Sequence, residues 1–337
     1  MSLLSPTYRL TLGDQRIDMG SEPRASTVTQ IDVQRAMAPL VDRFELTLVK
    51  LGTRLPKRGD KAEIELGFAG SDTGLERVMT GEIEEVDAGP EHTRIVGFGA
   101  GALLSRSNEN HSFRDKTAAD IVSDLANASG VKVADTETSE IFPTYIADAR
   151  LSAFQHMVTL SELTGFDLYC DTENALIFKG FGNGKTLFPL DYGEDVIAYQ
   201  IESTLASAER VEAWGESPGA AQGADSWAWL TKDFEPRKGS AGTSGSLRVL
   251  EHAALRTGET AQRAASALLR RIENRRIRGQ LTVLGNPAIT LGDTIRLQSM
   301  PEPDLNATFQ IRGVRHRITK ATGFLTHLTF QALELSL

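Results

Sequence analysis

A single cysteine, Cys170, stands in 337 residues, so no intrachain disulfide can form and no thiolate metal cluster can be built from this chain alone. Its expected role is that of a small buried strand residue. Aromatic residues are sparse at 7%, which leaves little material for the exposed platforms of a carbohydrate-binding surface. No run approaches the ~20 apolar residues of a membrane span, and Met1 to Leu10 lacks the basic and apolar regions of a secretory signal. Neither membrane insertion nor export by the common routes is expected. Basic residues are in deficit as well: 36 Lys and Arg against 45 Asp and Glu leave a net charge of −9. That balance argues against coating nucleic acid, because phosphate binding is supplied mostly by Lys and Arg. A local basic patch is compatible with it.

What is present is ordinary globular material, 40% hydrophobic and 24% charged, in a chain longer than one hydrophobic core usually serves. From Tyr8 to Gly101 apolar residues recur at every second position, as in Phe44, Leu46 and Leu48 or Ala62, Ile64, Leu66 and Phe68. This is the period of a half-buried strand, and six such runs separated by turn signals predict an antiparallel barrel or sandwich. Near Leu104 the period becomes helical. Thr117-Ala-Ala-Asp120 reads as a capping box, and Ile121, Val122 and Leu125 share a face that ends at Gly130. A second helix is predicted from the Ser152 cap to Gly165, followed by a hairpin of Phe166–Cys170 with Ala175–Phe178. Strand character returns at Val196–Ile201 and Arg210–Trp214. It fails from Gly215 to Ser246, where a long mobile loop is expected, with Trp227, Trp229 and Phe234 docking part of it. Thr257 to Arg275 carries an alanine and leucine stripe and is the plainest helix of the chain. Four strands follow it.

Chemistry-bearing motifs are weak. Gly180-Phe-Gly-Asn-Gly184-Lys185-Thr186 ends like a phosphate-binding loop, but Lys179 stands where the first glycine belongs and no helix is predicted after it, so a glycine-rich linker is the better reading. Gly97-Phe-Gly99-Ala-Gly101 lacks the spacing of a dinucleotide fingerprint and reads as a barrel strand with small residues for close packing. The six histidines show no metal-ligand spacing. His316 and His327 could approach across the last hairpin, as a polar contact rather than a ligand pair. No nucleophile elbow occurs, and no catalytic residue, metal or cofactor is expected. Two charge clusters remain. Glu82, Glu84 and Asp87 form either a solvated strand face or the lining of a negatively charged pore; strict alternation separates Asp87 from the other two, so all three share a face only if the strand bends near Val86. Arg270, Arg271, Arg275, Arg276 and Arg278 flank the end of the long helix, where cations oppose its dipole. They serve either a soluble helix end or a contact with acidic residues of a neighbouring subunit.

The order of parts carries a resemblance. The strand-rich start, the helix around Lys116–Leu125, and Leu151–Tyr169 with its hairpin are similar to the phage late control protein D family. That family includes myovirus baseplate hubs and the N-terminal part of the VgrG spike proteins of type VI secretion. The most specific match is Gly285-Asn286-Pro287-Ala-Ile-Thr-Leu291-Gly292-Asp293-Thr-Ile-Arg-Leu297, followed by Phe309 to His316. Locally, Asn286 before proline is pushed to an extended conformation, Pro287 ends a strand, and Gly292 is free to take positive φ in the reversal.

The resemblance implies a mainly β fold (α+β) with two tube-like antiparallel β-barrels, a small α/β domain between them and a helix-containing insertion. The implied boundaries are 1–105 for the first barrel, 106–190 for the α/β domain, 191–217 with 277–337 for the second barrel, and 218–276 for the insertion. It implies a non-enzymatic structural hub of a contractile phage tail or phage-like injection machine, assembled in the bacterial cytoplasm. As a homotrimer of pseudo-sixfold symmetry it would join a hexameric tail tube protein to a trimeric spike protein among baseplate components, with DNA or protein cargo passing through the lumen. The chain ends after the second barrel, so the spike is expected as a separate chain. The competing readings are a tail-associated cell-wall hydrolase and a carbohydrate-binding adhesin.

Overall fold

The computed structural model describes residues 5–19, 27–49, 55–70, 74–181, 186–215 and 238–333. Seven strands come first: β1 (Ser5–Leu12), β2 (Gln15–Asp18), β3 (Val28–Ala36), β4 (Arg43–Val49), β5 (Lys61–Ala69), β6 (Leu75–Ala88) and β7 (His92–Phe98). Alternation forms them as expected: Phe44, Leu46 and Leu48 of β4 and Ala62, Ile64 and Leu66 of β5 are buried while their neighbours are not. With Leu10, Ile31, Met79 and Ile95 these side chains close a first core. Each fully buried Leu or Ile contributes about 1.5–3 kcal/mol.

The middle of the chain follows as α1 (Ala100–Arg106), β8 (His111–Thr117), α2 (Ala118–Ala128), β9 (Val133–Thr136), β10 (Ile141–Ala147), α3 (Ala153–Thr164), β11 (Phe166–Cys170) and β12 (Leu176–Gly180). Both capping boxes form, Thr117 with Asp120 and Ser152 with Gln155, and Gly165 ends α3 at φ +75°. The β11–β12 hairpin pairs Phe166 with Gly180 through Cys170 with Leu176. Gly97 remains in β7 against Phe44, but α1 begins at Ala100, so the strand expected through Gly101 stops three residues earlier, at Phe98.

The last third contains β13 (Leu187–Asp191), β14 (Val196–Ser203), β15 (Arg210–Trp214), β16 (Gly239–Ala241), β17 (Leu247–Glu251), α4 (Gly258–Asn274), β18 (Ile277–Leu284), β19 (Thr294–Gln298), β20 (Thr308–Thr319) and β21 (Gly323–Ala332). Of the loop expected over 215–246, residues 216–237 lie outside the described residues, as do Trp227, Trp229 and Phe234 within it and residues 182–185 of the glycine-rich linker. The part that is described includes the strand β16.

One thirteen-stranded sheet holds both ends of the chain. Its order is β14-β18-β21-β20-β3-β4-β7-β6-β5-β1-β2, with β19 paired to β20 and β13 to β19. All its pairings are antiparallel except β13 with β19. The fold is thus mainly β, with large antiparallel sheet structure. The two ends meet where β20 pairs with β3, from Gly313 opposite Ala36 to Thr319 opposite Gln30. One sheet therefore serves two cores. Phe309, Ile311 and Val314 of β20 enter the second core with Ile289, Leu291, Leu328 and Phe330, whereas Ile318 packs against the first. The bulge between Ile311 and Gly313 supplies the phase change that keeps apolar side chains inward along twelve residues.

A third core lies among α1 to α4 and the strands packed on them. Two expected boundaries move. Arg210–Trp214 is expected in the second barrel, but β15 pairs with β16 and β17, and Val211 and Ala213 bury against the third core with Ala261, Ala264 and Ala265 of α4. Small side chains allow that approach: a β-carbon at Gly239 of β16 would collide with the backbone at Ala261. Conversely Leu187–Leu190, assigned to the α/β domain, pairs with β19, and Leu190 joins the second core.

Candidate functional site

Three surfaces concentrate the residues singled out by sequence, and the first is the seam where the cores meet. Gly285 leaves β18 with its amide donating to the Phe324 carbonyl at 2.9 Å, and a β-carbon there would strike the Phe324 ring. The Asn286 amide donates to Thr326 Oγ1 at 2.9 Å, and Asn286 Oδ1 accepts from the Ala288 amide at 3.1 Å, which fixes the entry to Pro287. Gly292, at φ +86°, lies beneath the Tyr169 hydroxyl. Asp293 is buried and closes the turn by accepting from the Thr290 amide at 3.0 Å. The turn thereby touches β21 and β11 at once.

Two buried polar residues, which sequence reasoning did not single out for this role, complete the seam. Arg35 of β3 is 3% exposed and donates to Thr290 Oγ1 at 2.9 Å and to the Cys170 carbonyl at 2.6 Å, with Asp42 3.5 Å from its Nε. Burial pushes the Asp42 carboxyl up, against the pull of Arg35. His316 lies on β20 between Val314 of the second core and Ile318 of the first. Its Nδ1 meets Thr326 Oγ1 at 3.0 Å, and burial lowers its pKa to about 3. The approach of His316 to His327 expected from sequence does not occur. His316 pairs across the strands with Thr326, and His327 sits opposite Arg315 on the other face, bonded to Thr282 at 2.9 Å. Successive strand residues point to opposite faces, which separates them.

The second surface is the outer face of the sheet near the same seam. Asp32 and Glu45 stand directly opposite each other on β3 and β4, a repulsive arrangement unless cations intervene. Arg315 grips Asp32 with two bonds, one from Nε at 2.8 Å, while Arg43 and Arg94 hold Glu45 at 2.7 and 3.0 Å. The bond from Arg94 is the largest cause that keeps the Glu45 carboxyl below its usual range. Further along β6, the bulge between Ile83 and Glu85 changes the alternation. Ile83 and Val86 both pack on the first core, leaving Glu82, Glu84, Glu85 and Asp87 off it. The bend expected near Val86 is thus a bulge at Glu84, and Glu84 is ion-paired with Arg106 and Glu85 with Arg94.

The third surface gathers the arginines. Arg270, Arg271, Arg275 and Arg276 line one cleft of about 690 Å³, with Arg312 of β20 across from them. Arg271 is tied within the chain, donating to Glu162 at 3.0 Å and to the Ser161 carbonyl at 3.4 Å, so it locks the end of α3 onto α4. Arg312 is bonded to Asp167. Arg270, Arg275 and Arg276 form no ion pair among the described residues. Arg278 pairs with Glu202 at 3.0 Å. Among the described residues no group of three or more His, Cys, Asp and Glu is gathered for a metal, and no helix is long and apolar enough to cross a membrane.

Residues 59–320 match the sequence family described as the Alg8 N-terminal domain. Among curated proteins none matches the chain in sequence. Solved structures match it nearly end to end. A 43 kDa tail protein of prophage MuSo2 from Shewanella oneidensis is 16% identical, with 97% of this chain and 98% of that one covered at a TM-score of 0.72. A tail protein from Neisseria meningitidis MC58 is 13% identical, with 98% and 97% covered at 0.73. The E. coli c3393 protein, a type VI secretion component described as structurally similar to T4 tail proteins gp27 and gp5, is 12% identical, with 97% and 77% covered at 0.61. The fold is therefore that of these tail proteins.

Proposed function

The chain belongs to the Alg8 N-terminal domain family, and from that premise we propose that it is a structural, non-enzymatic hub of a contractile tail or injection machine. The observation that carries the reading is the single sheet spanning two cores, in a fold shared end to end with tail proteins. In this reading the lobes built on β1–β7 and on β13, β14 and β18–β21 are two tube-like units. Three protomers then set six such units around an axis, offering pseudo-sixfold symmetry to a hexameric tube and threefold symmetry to a trimeric spike. A ring of this kind needs extensive heterologous contacts between protomers. The likeness to a type VI secretion component that is itself described as similar to tail proteins supports partners within a tail or baseplate.

The expected behaviour follows from incomplete burial in the free chain: alone it is a monomer or weak oligomer, and with its spike or tube partner a stable trimer. Sedimentation velocity with and without the spike measures this, and a stable dimer in both samples would refute the symmetry argument. The acid-rich outer side of β6 is proposed to line the lumen, where Glu82, Glu84 and Asp87 would repel an anionic cargo and prevent adhesion. Particles carrying Glu82→Lys with Asp87→Lys should assemble normally and eject their cargo more slowly. Unchanged ejection from such particles would return these residues to a solvated face.

A further inference from the structure

The arginine cleft has a complement at the far end of one strand. Arg271 and Arg275 also line a second cleft of about 390 Å³ with Arg248 and Arg278, so the two clefts adjoin across a shared wall and together make up an arginine groove. Its walls carry seven arginines against three carboxylates, Glu162, Asp167 and Glu273, which inverts the sign of a chain whose net charge is −9. Apolar surface is exposed there too, with Leu205 at 90% and Val249 at 47% exposure. The chain reaches this groove through Thr204 and Leu205, immediately after β14.

Before β14 stands the turn Asp191–Asp195, with Glu194 and Asp195 exposed and large apolar groups beside them, Tyr192 at 41% and Ile197 at 55% exposure. Tyr192 packs edge-on to Tyr199 at 5.7 Å, and the Tyr199 hydroxyl donates to Glu302 at 3.3 Å, which brings Glu302 to the same tip. Asp304, exposed, lies in the 3-10 turn that begins just after Glu302. Strand β14 rises about 3.3 Å per residue, so the tip and the groove lie roughly 25–30 Å apart and one copy cannot satisfy itself. Strand β14 is also an edge, paired only with β18, and an open edge is available to a neighbour.

We propose that the acidic, aromatic tip of one copy docks in the arginine groove of the next. Carboxylates meet Arg248, Arg275 and Arg276, and Tyr192 and Ile197 cover Leu205 and Val249. The contact is head-to-tail, the kind that closes a ring when the rotation allows. It rests on the ring reading above. The mixed apolar and cationic walls fit a protein segment better than a phosphodiester backbone, whose binding is chiefly ionic.

Sedimentation velocity over a concentration series at low salt tests the pairing. The wild-type chain should self-associate reversibly and less so in high salt. Arg248→Glu with Arg275→Glu, or Glu194→Lys with Asp304→Lys, should each weaken association about tenfold or more. The four changes together exchange the charges of both surfaces and should restore it, an outcome that misfolding cannot produce. A wild-type chain that stays monomeric, single-surface variants that associate like wild type, or a combined variant that is not restored would each overturn the docking. So would binding of an oligonucleotide that Arg248→Glu with Arg275→Glu abolishes while self-association persists. A trimer forming with the spike in any of these cases would leave the hub reading intact.

Discussion

Replacing Arg35 by methionine is expected to destabilise the folded chain by about 3–5 kcal/mol, the usual loss when one member of a buried pair is removed and the other is left uncompensated. Arg35 is 3% exposed and Asp42 7%. The guanidinium donates to Thr290 and to the Cys170 carbonyl, so its loss also leaves a buried carbonyl without that donor. Asp42 meanwhile faces desolvation with its cation gone. The double variant Arg35→Met with Asp42→Asn removes the stranded charge while the asparagine carbonyl can still accept from the Ala36 amide, a bond of 3.0 Å in the wild type. It should therefore lose less than Arg35→Met alone. Denaturant midpoints of the wild type, of Arg35→Met and Asp42→Asn singly, and of the double variant give the coupling. A loss below about 1 kcal/mol for Arg35→Met would mean that the seam does not depend on this residue.

The second expected result is a pH dependence set by His316. In the folded chain burial holds this imidazole neutral, with a pKa of about 3, and the nearby Arg35 charge acts in the same direction. The unfolded chain has the ordinary value near 6.5. Above about 6.5 neither state takes up a proton and the stability is fully present. As pH falls from there toward 3, the unfolded chain binds a proton that the folded chain refuses, so stability is lost at about 1.4 kcal/mol per pH unit. His252 and His327, also shifted downward by burial, act with the same sign. His316→Gln should flatten the dependence between pH 6.5 and 4, read from denaturant midpoints at each pH. A slope identical to wild type would exclude His316 as its source. Because His316 joins the two cores on β20, acid is expected to weaken the seam before either core.

Much of this architecture is local, and local features were legible. The capping residues Thr117, Ser152 and Thr257 mark three helix starts, because an unsatisfied first turn needs a side-chain acceptor wherever it lies. Alternation in β4 and β5 and the β11–β12 hairpin are equally visible, since one buried face fixes a period of two. Short strands such as β8, β9, β10 and β17 give no such signal in the sequence. Leu247 and Val249 of β17 are exposed, so the strand presents no buried face to give the signal.

The candidate surfaces divide in the same way. The sequence alone placed Gly285, Asn286, Pro287, Gly292 and Asp293 in a turn and Arg270 to Arg276 at a helix end, because proline, glycine and helical periodicity act over a few residues. Only the tertiary structure decided that the turn lies where three cores meet, that Arg35 and His316 are buried there, and that Arg312, distant in sequence, joins the helix-end arginines in one cleft. It also decided that β15 leaves the large sheet for α4 and that a bulge at Glu84 turns four carboxylates off the first core. These outcomes depend on pairings such as β20 with β3, between residues nearly three hundred positions apart. Such pairings are chosen by which surfaces exclude water together, and no stretch of sequence carries that information by itself.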